Sequence, residues 1–190
     1  MRAAPEATFA ASASPRFALS HVDSKAQLDV AAALRKRIFR ERRQISFDEA
    51  LEARRDREGH VFLLFEHALP VAVGRVLPYP SRRSATLGLS RSVGAQGADS
   101  EIGRVACEAD ARAPYRALLL LTLGARWLLE HTQLRRYVGY CHPRLVDSYR
   151  KLGATPGERI VVPNRSDPYF VITGSYEVAE DLGSRLLGLP

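Results

Sequence analysis

Cysteine is nearly absent from this sequence. Cys107 and Cys141 stand alone, too few for a disulfide framework and without the spacing of a zinc site. Such usage fits a reducing compartment, and a cytoplasmic location is the expectation. Long apolar runs are missing as well: none approaches the roughly 18 residues that a membrane span needs. The opening residues, MRAAPEATFAASASPR, carry no hydrophobic stretch, so they read as a disordered tail over 1–15 rather than a signal peptide, ahead of one domain over 16–190. Acidic residues fall short of basic ones, 21 Asp and Glu against 28 Lys and Arg, a net charge of +7. That excess asks for an anionic partner. Basic-aromatic interleaving, zinc-finger spacing and a helix-turn-helix pattern are all lacking, which argues against nucleic acid. No set of metal ligands and no internal repeat is visible.

What is present suffices for one core. Hydrophobic residues make up 46% of the chain, which excludes wholesale disorder. Arg16 to Val22 alternates weakly and reads as a strand. From Ser24, a plausible N-cap, to about Gln44 the apolar positions recur at helical spacing. Asp48 to Asp56 reads as a short helix inside a charged run. His60 to Glu66 and Val71 to Leu77 bracket a turn at His67–Pro70 and form an antiparallel hairpin. Pro78 to Ser100 is loop-like and long enough to be functional. Glu101 to Glu108 is a strand, and Pro114 to His131 a helix so apolar that it must be covered on more than one side. Tyr137 to Cys141 is a strand, Arg144 to Leu152 a helix closed by Gly153, and Ile160–Pro163 with Tyr169–Thr173 a last strand pair. The order β-α-α-β-β-β-α-β-α-β-β gives an α/β (α+β) domain with helices packed on a mixed sheet.

Chemistry concentrates between Glu101 and Gly153. A strand runs out at Cys107–Asp110, and Pro114 sits where a first helical residue tolerates a missing N–H. The free N–H groups that follow, with Arg112 and Arg116 beside them, suit a phosphate. The alternative reading makes both arginines solvated charges, at the helix end where the dipole disfavours them. Glu101 is placed to take a proton from an attacking amine, directly or through water. Its competing reading is a simple ion pair with Arg104. Side chains alternate along a strand, so those two start on opposite faces unless a bulge intervenes. Cys107 is a weaker nucleophile candidate, since small apolar cysteines are commonly buried. Cys141 and His142, being adjacent on a strand, face oppositely, and His131 is best placed as a helix C-terminal cap.

The slot Arg112-x-x-Tyr115-x-Ala117 resembles the Q/R-x-x-G-x-G/A donor loop of the GNAT superfamily of N-acyltransferases, with the middle glycine replaced. His142 to Ala154 resembles the family's N-x-x-A-x-x-L-Y-x-x-x-G-F segment, with Tyr149 and Gly153 at the matching spacings. Leu34-Arg35-Lys36-Arg37-Ile38-Phe39 looks like the L-R-x-x-V-F segment of acyl-homoserine lactone synthases and N-acyl amino acid synthases. Asp56 follows Phe39 at the distance of their first aspartate. Gly74-Arg75-Val76-Leu77-Pro78 and Glu101-Ile102-Gly103-Arg104-Val105-Ala106 are similar to their G-x-x-R-L-L-P and E-x-S-R-F-A segments, so the likeness spans residues 30–155. The lactone synthases' tryptophan gives way to Ile45 and Phe47, and their second aspartate falls near Gly59. These departures point away from a lactone product.

The resemblance implies a mostly antiparallel central sheet flanked by helices, with its fourth and fifth strands splayed around the donor. It implies that Glu101 and Tyr149 are catalytic, the tyrosine protonating the departing thiolate; a core-facing tyrosine is the alternative. Arg35, Phe39, Asp56, Arg75 and Arg104 would bind the acceptor. Val105, Ala106, Cys107, Arg112, Tyr115, Arg116, Ala117 and His142 would hold the donor, with a bulge in the Glu101 strand aiming a backbone N–H at the thioester oxygen. No cofactor is bound permanently; an acyl-pantetheine thioester is the co-substrate. A fatty acyl group on acyl carrier protein and a small-molecule amine follow, with coenzyme A as the alternative carrier and a non-catalytic binding domain as the other alternative. Carrier proteins are acidic, so the basic face formed by Arg35, Arg37, Arg40, Arg42, Arg43, Arg54, Arg55, Arg57, Arg82, Arg83 and Arg91 would serve docking.

Overall fold

The computed structural model describes residues 8–9, 16–42, 47–81, 87, 89, 95–162 and 167–190. Of the expected tail, Thr8–Phe9 forms a short strand, β1, on the sheet edge. Arg43, Ile45, Arg82, Arg83, Arg91 and Pro163 lie outside the described residues, as does the side chain of Arg42. β2 spans Phe17–His21. α1 (Lys25–Lys36) starts at Ser24, whose hydroxyl accepts from the Gln27 N–H, as the spacing predicts. The helical pattern expected to run on to Gln44 instead widens into a π-helical turn over Arg37–Arg42. Such turns insert an extra residue and commonly redirect side chains at functional sites; this one carries Phe39 to the wall of a cleft. α2 (Glu49–Glu58) is capped by Asp48 and buries Glu52 and Asp56, one turn apart, against the sheet.

β3 (His60–Glu66) and β4 (Leu69–Pro78) form the expected hairpin. Its turn is tighter than the sequence suggests, because His67 and Ala68 both adopt positive φ, 49° and 64°, the mirror-image geometry that matches strand twist. β5 (Ser100–Cys107), α3 (Ala113–His131) and β6 (Arg136–Cys141) follow. The predicted helix at Arg144 splits into a 3-10 turn, Pro143–Leu145, and α4, Val146–Arg150. β7 (Thr155–Ile160) begins earlier than its predicted position, and pairs with β8 (Tyr169–Ser175). A final helix, α5 (Tyr176–Leu187), has no counterpart in the sequence reading. It is capped by Ser175 at one end and by Gly188 in the left-handed conformation at the other.

The sheet order is β1-β2-β3-β4-β5-β6-β8-β7. Every neighbouring pair is antiparallel except β5 with β6. α1 packs on one face over Leu63, Val73 and Ala106. α3 and α5 pack on the other and against each other. Residues of the long connection before β5, among them Leu89 and Ala95, cover Val138 and Val171 on the remaining part of the sheet. Among the described residues no helix is long and apolar enough to cross a membrane.

Gly183 hid α5 from a periodicity reading, since glycine ordinarily weakens a helix interior. Its role is close approach: a Cβ placed there would lie 1.9 Å from Thr122 Oγ1 of α3. Gly183→Ala is therefore expected to cost about 1–3 kcal/mol by overpacking, read as a lowered denaturation midpoint. Trimming the neighbour in a Gly183→Ala, Thr122→Ala double variant should recover part of that loss; full stability of the single variant would refute the close contact.

At the far end of α3, Trp127 is stacked between His21 and His131, with centroids at 4.0 and 4.6 Å. His131 Nδ1 lies 2.9 Å from the Trp127 carbonyl, consistent with the expected cap. Burial, with help from neighbouring His60, pushes the His21 pKa down to about 4, and burial lowers His60 too. The unfolded chain then takes up these protons first, near pH 6.5. Stability is full above about 6.5 and falls as pH drops toward 4, by about 1–2 kcal/mol for His21 after solvent screening. A chemical-denaturation series across that range should show the slope, and His21→Phe should flatten it.

Candidate active site

β5 and β6 are paired only at Ser100↔Tyr137 and Glu101↔Val138. Beyond those two pairs the strands part. Gly139 marks the last point of contact, since a Cβ there would lie 2.8 Å from Ile102 Cγ1 and 3.0 Å from the Ile102 carbonyl oxygen. The opening is a cleft of about 750 Å³. Gly103, Arg104 and Val105 of β5 face Tyr140 and Cys141 of β6 and the following His142 across it, with Phe39 and Tyr149 closing the sides. Parallel strands deprived of pairing leave backbone N–H and C=O groups open to a ligand.

β5 is bulged where it lines this cleft. Its register with β4 steps from Gly103↔Arg75 to Ala106↔Val73, so Arg104 and Val105 together oppose Gly74. Arg104 takes up the distortion with φ 54°, a conformation that costs a non-glycine residue on the order of 1 kcal/mol. The bulge reverses the alternation that would have separated Glu101 from Arg104. Both now border one small pocket of about 230 Å³, with Arg75, Leu77, Gly103 and Tyr140. That pocket and the cleft share Gly103, Arg104 and Tyr140, so the two spaces meet at the bulge.

A buried ion-pair network holds Arg104 in its strained position. Its Nε and Nη2 donate to Glu52 Oε1 at 3.1 and 2.6 Å. Arg75 Nη1 lies 2.9 Å from both Glu52 Oε2 and Asp56 Oδ1. Arg35, wholly buried, grips Asp56 with both terminal nitrogens and donates from Nε to the Ala31 carbonyl. Burial alone would raise the Glu52 pKa, but Arg75, Arg104 and Arg35 outweigh it and hold the carboxyl at about 2. Phe39 lies 5.2 Å from the Arg104 guanidinium, over its ring face. Glu101 is buried and is bonded by the Ser81 hydroxyl, while Arg104 takes Glu52 as its partner. Around the pocket Arg35, Arg55, Arg75 and Arg104 outnumber Glu52, Asp56 and Glu101 by one.

Across the cleft, Tyr149 is half-buried. Burial raises its phenol well above the ordinary value, and the nearby Cys141, Tyr137 and Cys107 add to the shift. It remains a proton-bearing donor throughout the physiological range. His142 Nδ1 accepts from the Arg144 N–H at 3.2 Å, so the proton is on Nε2, 3.1 Å from Asp167 Oδ2. Burial lifts the Cys141 thiol to about 11, which leaves little thiolate for nucleophilic attack at neutral pH.

The structure thus gathers Glu101, Arg75, Arg104, Phe39, Val105, His142 and Tyr149 around two joined spaces. Other expected site residues lie elsewhere. Arg35 and Asp56 are buried behind the pocket and act on it only through Arg75 and Glu52. The side chains of Ala106 and Cys107 belong to the two cores on either side of the sheet, because a strand wedged between helices buries both faces. Ala117 packs against the core, and Tyr115 stands exposed beside Phe17. The expectation of free phosphate-binding arginines at the start of α3 also needs correction. Arg116 is buried, with Nε and Nη2 on Glu66 Oε2 and Nη1 on Asp110 Oδ2. Arg112 Nη1 bonds Glu66 Oε1 at 2.9 Å. Glu52, Ser81, Tyr140 and Cys141 were not selected from the sequence; only Glu52 carried a usable signal, one helical turn ahead of Asp56.

No family model matches the chain, and no curated protein sequence matches it. Solved structures do. FeeM, an N-acyl amino acid synthase from uncultured soil microbes, aligns over 88% of this chain and 94% of its own at TM-score 0.68 and 15% identity. BjaI, a CoA-dependent acyl-homoserine lactone synthase solved with SAM and isopentyl-CoA, aligns over 85% and 83% at TM-score 0.65 and 18% identity. An acyl-CoA N-acyltransferase from Pseudomonas aeruginosa aligns over 83% and 97% at TM-score 0.56 and 14% identity. A mostly antiparallel sheet whose single parallel pair opens into a cleft, in that company, gives this chain the GNAT fold.

Proposed function

We propose that the protein is an N-acyltransferase that moves a fatty acyl group from a pantetheine thioester to the α-amine of an amino acid. The observation that carries this reading is the meeting of the two spaces at the β5 bulge. One presents a buried carboxylate beside two guanidinium groups; the other is a slot between parting strands with a phenol at its side. Arg75 and Arg104 suit the carboxylate of an amino acid, and the excess positive charge of their surroundings favours it. Glu101 then faces the amine. It takes the ammonium proton, because only the neutral amine attacks. The nitrogen adds to the thioester carbonyl, and the tetrahedral oxyanion is served by backbone N–H groups freed at the bulge. Collapse breaks the carbon–sulfur bond; the Tyr149 hydroxyl donates a hydrogen bond to the departing thiolate, which takes up the proton that the acylated nitrogen loses, and Glu101 returns the first proton to solvent.

The apolar lining of a pocket between the sheet and α3 favours a hydrocarbon chain there. Ile102 and Val105 line both it and the cleft, and Gly124 and Leu128 lie on its α3 side. Arg144 stands at the cleft rim next to His142 and has no acidic partner among the described residues, which suits an acidic carrier protein.

Glu101→Gln should leave the fold intact and lower kcat by about 10²–10⁴-fold. Acyl transfer to a panel of amino acids, with circular dichroism of the variant, checks it; a folded variant of undiminished activity would remove Glu101 from the chemistry. Gly124→Val should shorten the apolar cavity. The expected outcome is at least about a tenfold drop in kcat/KM for long acyl donors, with short donors little changed. An equal loss for every chain length would place the acyl tail elsewhere.

A further inference from the structure

Glu101 is buried beside positive charge, yet among the described residues no guanidinium is paired with its carboxylate. Arg104 donates from Nε and Nη2 to Glu52, and Arg75 donates from Nη1 to Asp56 and the Glu52 carbonyl. The donor that does reach Glu101 is uncharged: the Ser81 hydroxyl bonds Oε2. The other oxygen, Oε1, has no partner among the described residues, and Glu101 borders the acceptor pocket. Ser81 lies outside the lining of that pocket, 20 residues before Glu101 in the chain. Its backbone arrives there from a fixed starting point. β4 ends with the pairs Leu77↔Glu101 and Pro78↔Ser100, and the Tyr79 N–H extends the ladder to the Asp99 carbonyl at 3.0 Å. The Tyr79 ring packs on the cluster of Leu89, Ala95, Val138 and Val171. Only Pro80, whose ring restricts φ, separates that seated residue from Ser81.

We propose that Ser81 is the positioning residue of the general base: its hydroxyl holds Glu101 Oε2 so that Oε1 is left for the acceptor amine. The inference rests on the transferase reading and deepens it. A carboxylate beside Arg75 and Arg104 would otherwise pair with one of them, as Glu52 and Asp56 have done. A guanidinium takes both oxygens of a carboxylate readily, and a carboxylate held that way presents less to an ammonium proton. A hydroxyl has one proton to donate. It fixes one oxygen, leaves the other open, and does not cancel the negative charge that draws the ammonium group. Arg75 and Arg104 stay available for the carboxylate of the acceptor. Ser81 keeps its proton throughout and touches no substrate atom.

The test is steady-state transfer from a long-chain acyl-pantetheine thioester to the amino acid that the wild type uses best. Ser81→Ala removes one oxygen from a half-buried side chain. It should lower kcat by about tenfold, the scale of a lost hydrogen bond to a charged group. KM for the amino acid should stay within about twofold, since the guanidinium groups still bind its carboxylate. Ser81→Thr, which keeps a hydroxyl, should hold kcat within about threefold of the wild type. The decisive comparison is made in the Glu101→Gln background, where Ser81→Ala should change kcat by less than about twofold, because the hydroxyl acts only through the carboxylate. A part in holding the connection or the sheet would cost the same in either background. Equal losses in the two backgrounds, a raised KM with unchanged kcat, a Ser81→Thr protein as poor as Ser81→Ala, or a Ser81→Ala protein that is fully active or fails to fold by circular dichroism each overturn the positioning role. Any of these leaves the transferase reading in place. A wild type that transfers no acyl group to any amino acid overturns both.

Discussion

The Glu52 carboxylate, shared between Arg75 and Arg104, is the contact on which the site depends. Arg104 occupies a backbone conformation that its side chain would not choose, and the bulge it creates is what turns β5 toward the cleft. A strained residue persists only when its surroundings over-determine it. Here two hydrogen bonds to Glu52 and the aromatic face of Phe39 do so. Glu52 is in turn held by Arg75, and Arg75 by Asp56, which Arg35 clamps from behind. A chain of buried charges like this is weak evidence for stability, because desolvation offsets much of the attraction. Its effect is positional: it ties α1, α2, β4 and β5 together at one point and leaves two guanidinium groups bordering a pocket.

The sheet supplies the second constraint. Antiparallel neighbours hold β1 to β5 and β6 to β8 as two rigid blocks. Within the sheet the two blocks are joined by the short parallel contact at Ser100 and Glu101, with Gly139 allowing the final approach before they separate. The Ser100 hydroxyl reinforces that seam by reaching the Arg136 carbonyl and the Tyr176 hydroxyl. Glu101 therefore sits at the hinge of the opening, while Tyr149 approaches from the helical turn that follows β6. The carboxylate and the phenol come from opposite blocks, so the width of the cleft sets the distance between them.

Much of this was legible in the chain. The hairpin, the apolar helix of α3 and the strand beginning at Glu101 are written as local patterns of period and turn chemistry, and these survive folding because burial and patterning agree. Alternation along a strand sets Glu101 and Arg104 on opposite faces, and the bulge that undoes this was implied by the resemblance to the GNAT segments, not by the local pattern. By contrast, α5 was hidden by Gly183, whose reason lies in Thr122 on another helix. The π-helical turn after Lys36 was equally invisible, since its residues continue a helical pattern and only packing decides how many sit in each turn.

The sequence by itself determined the order of elements, the basic excess and the identity of the acid, the phenol and the arginines available for chemistry. Tertiary structure decided which of those arginines are free to act. Arg112 and Arg116 look like a phosphate cradle when only their helix is in view, but Glu66, 50 residues from Arg116 in the chain, claims Arg116 with two nitrogens and also binds Arg112. Arg35 looks like a substrate ligand until Asp56 closes over it. Ion pairing acts through space at a few ångströms and has no period along the chain. The partner of a buried charge is therefore fixed by the packing of distant strands and helices, where spacing in the sequence carries no trace of it.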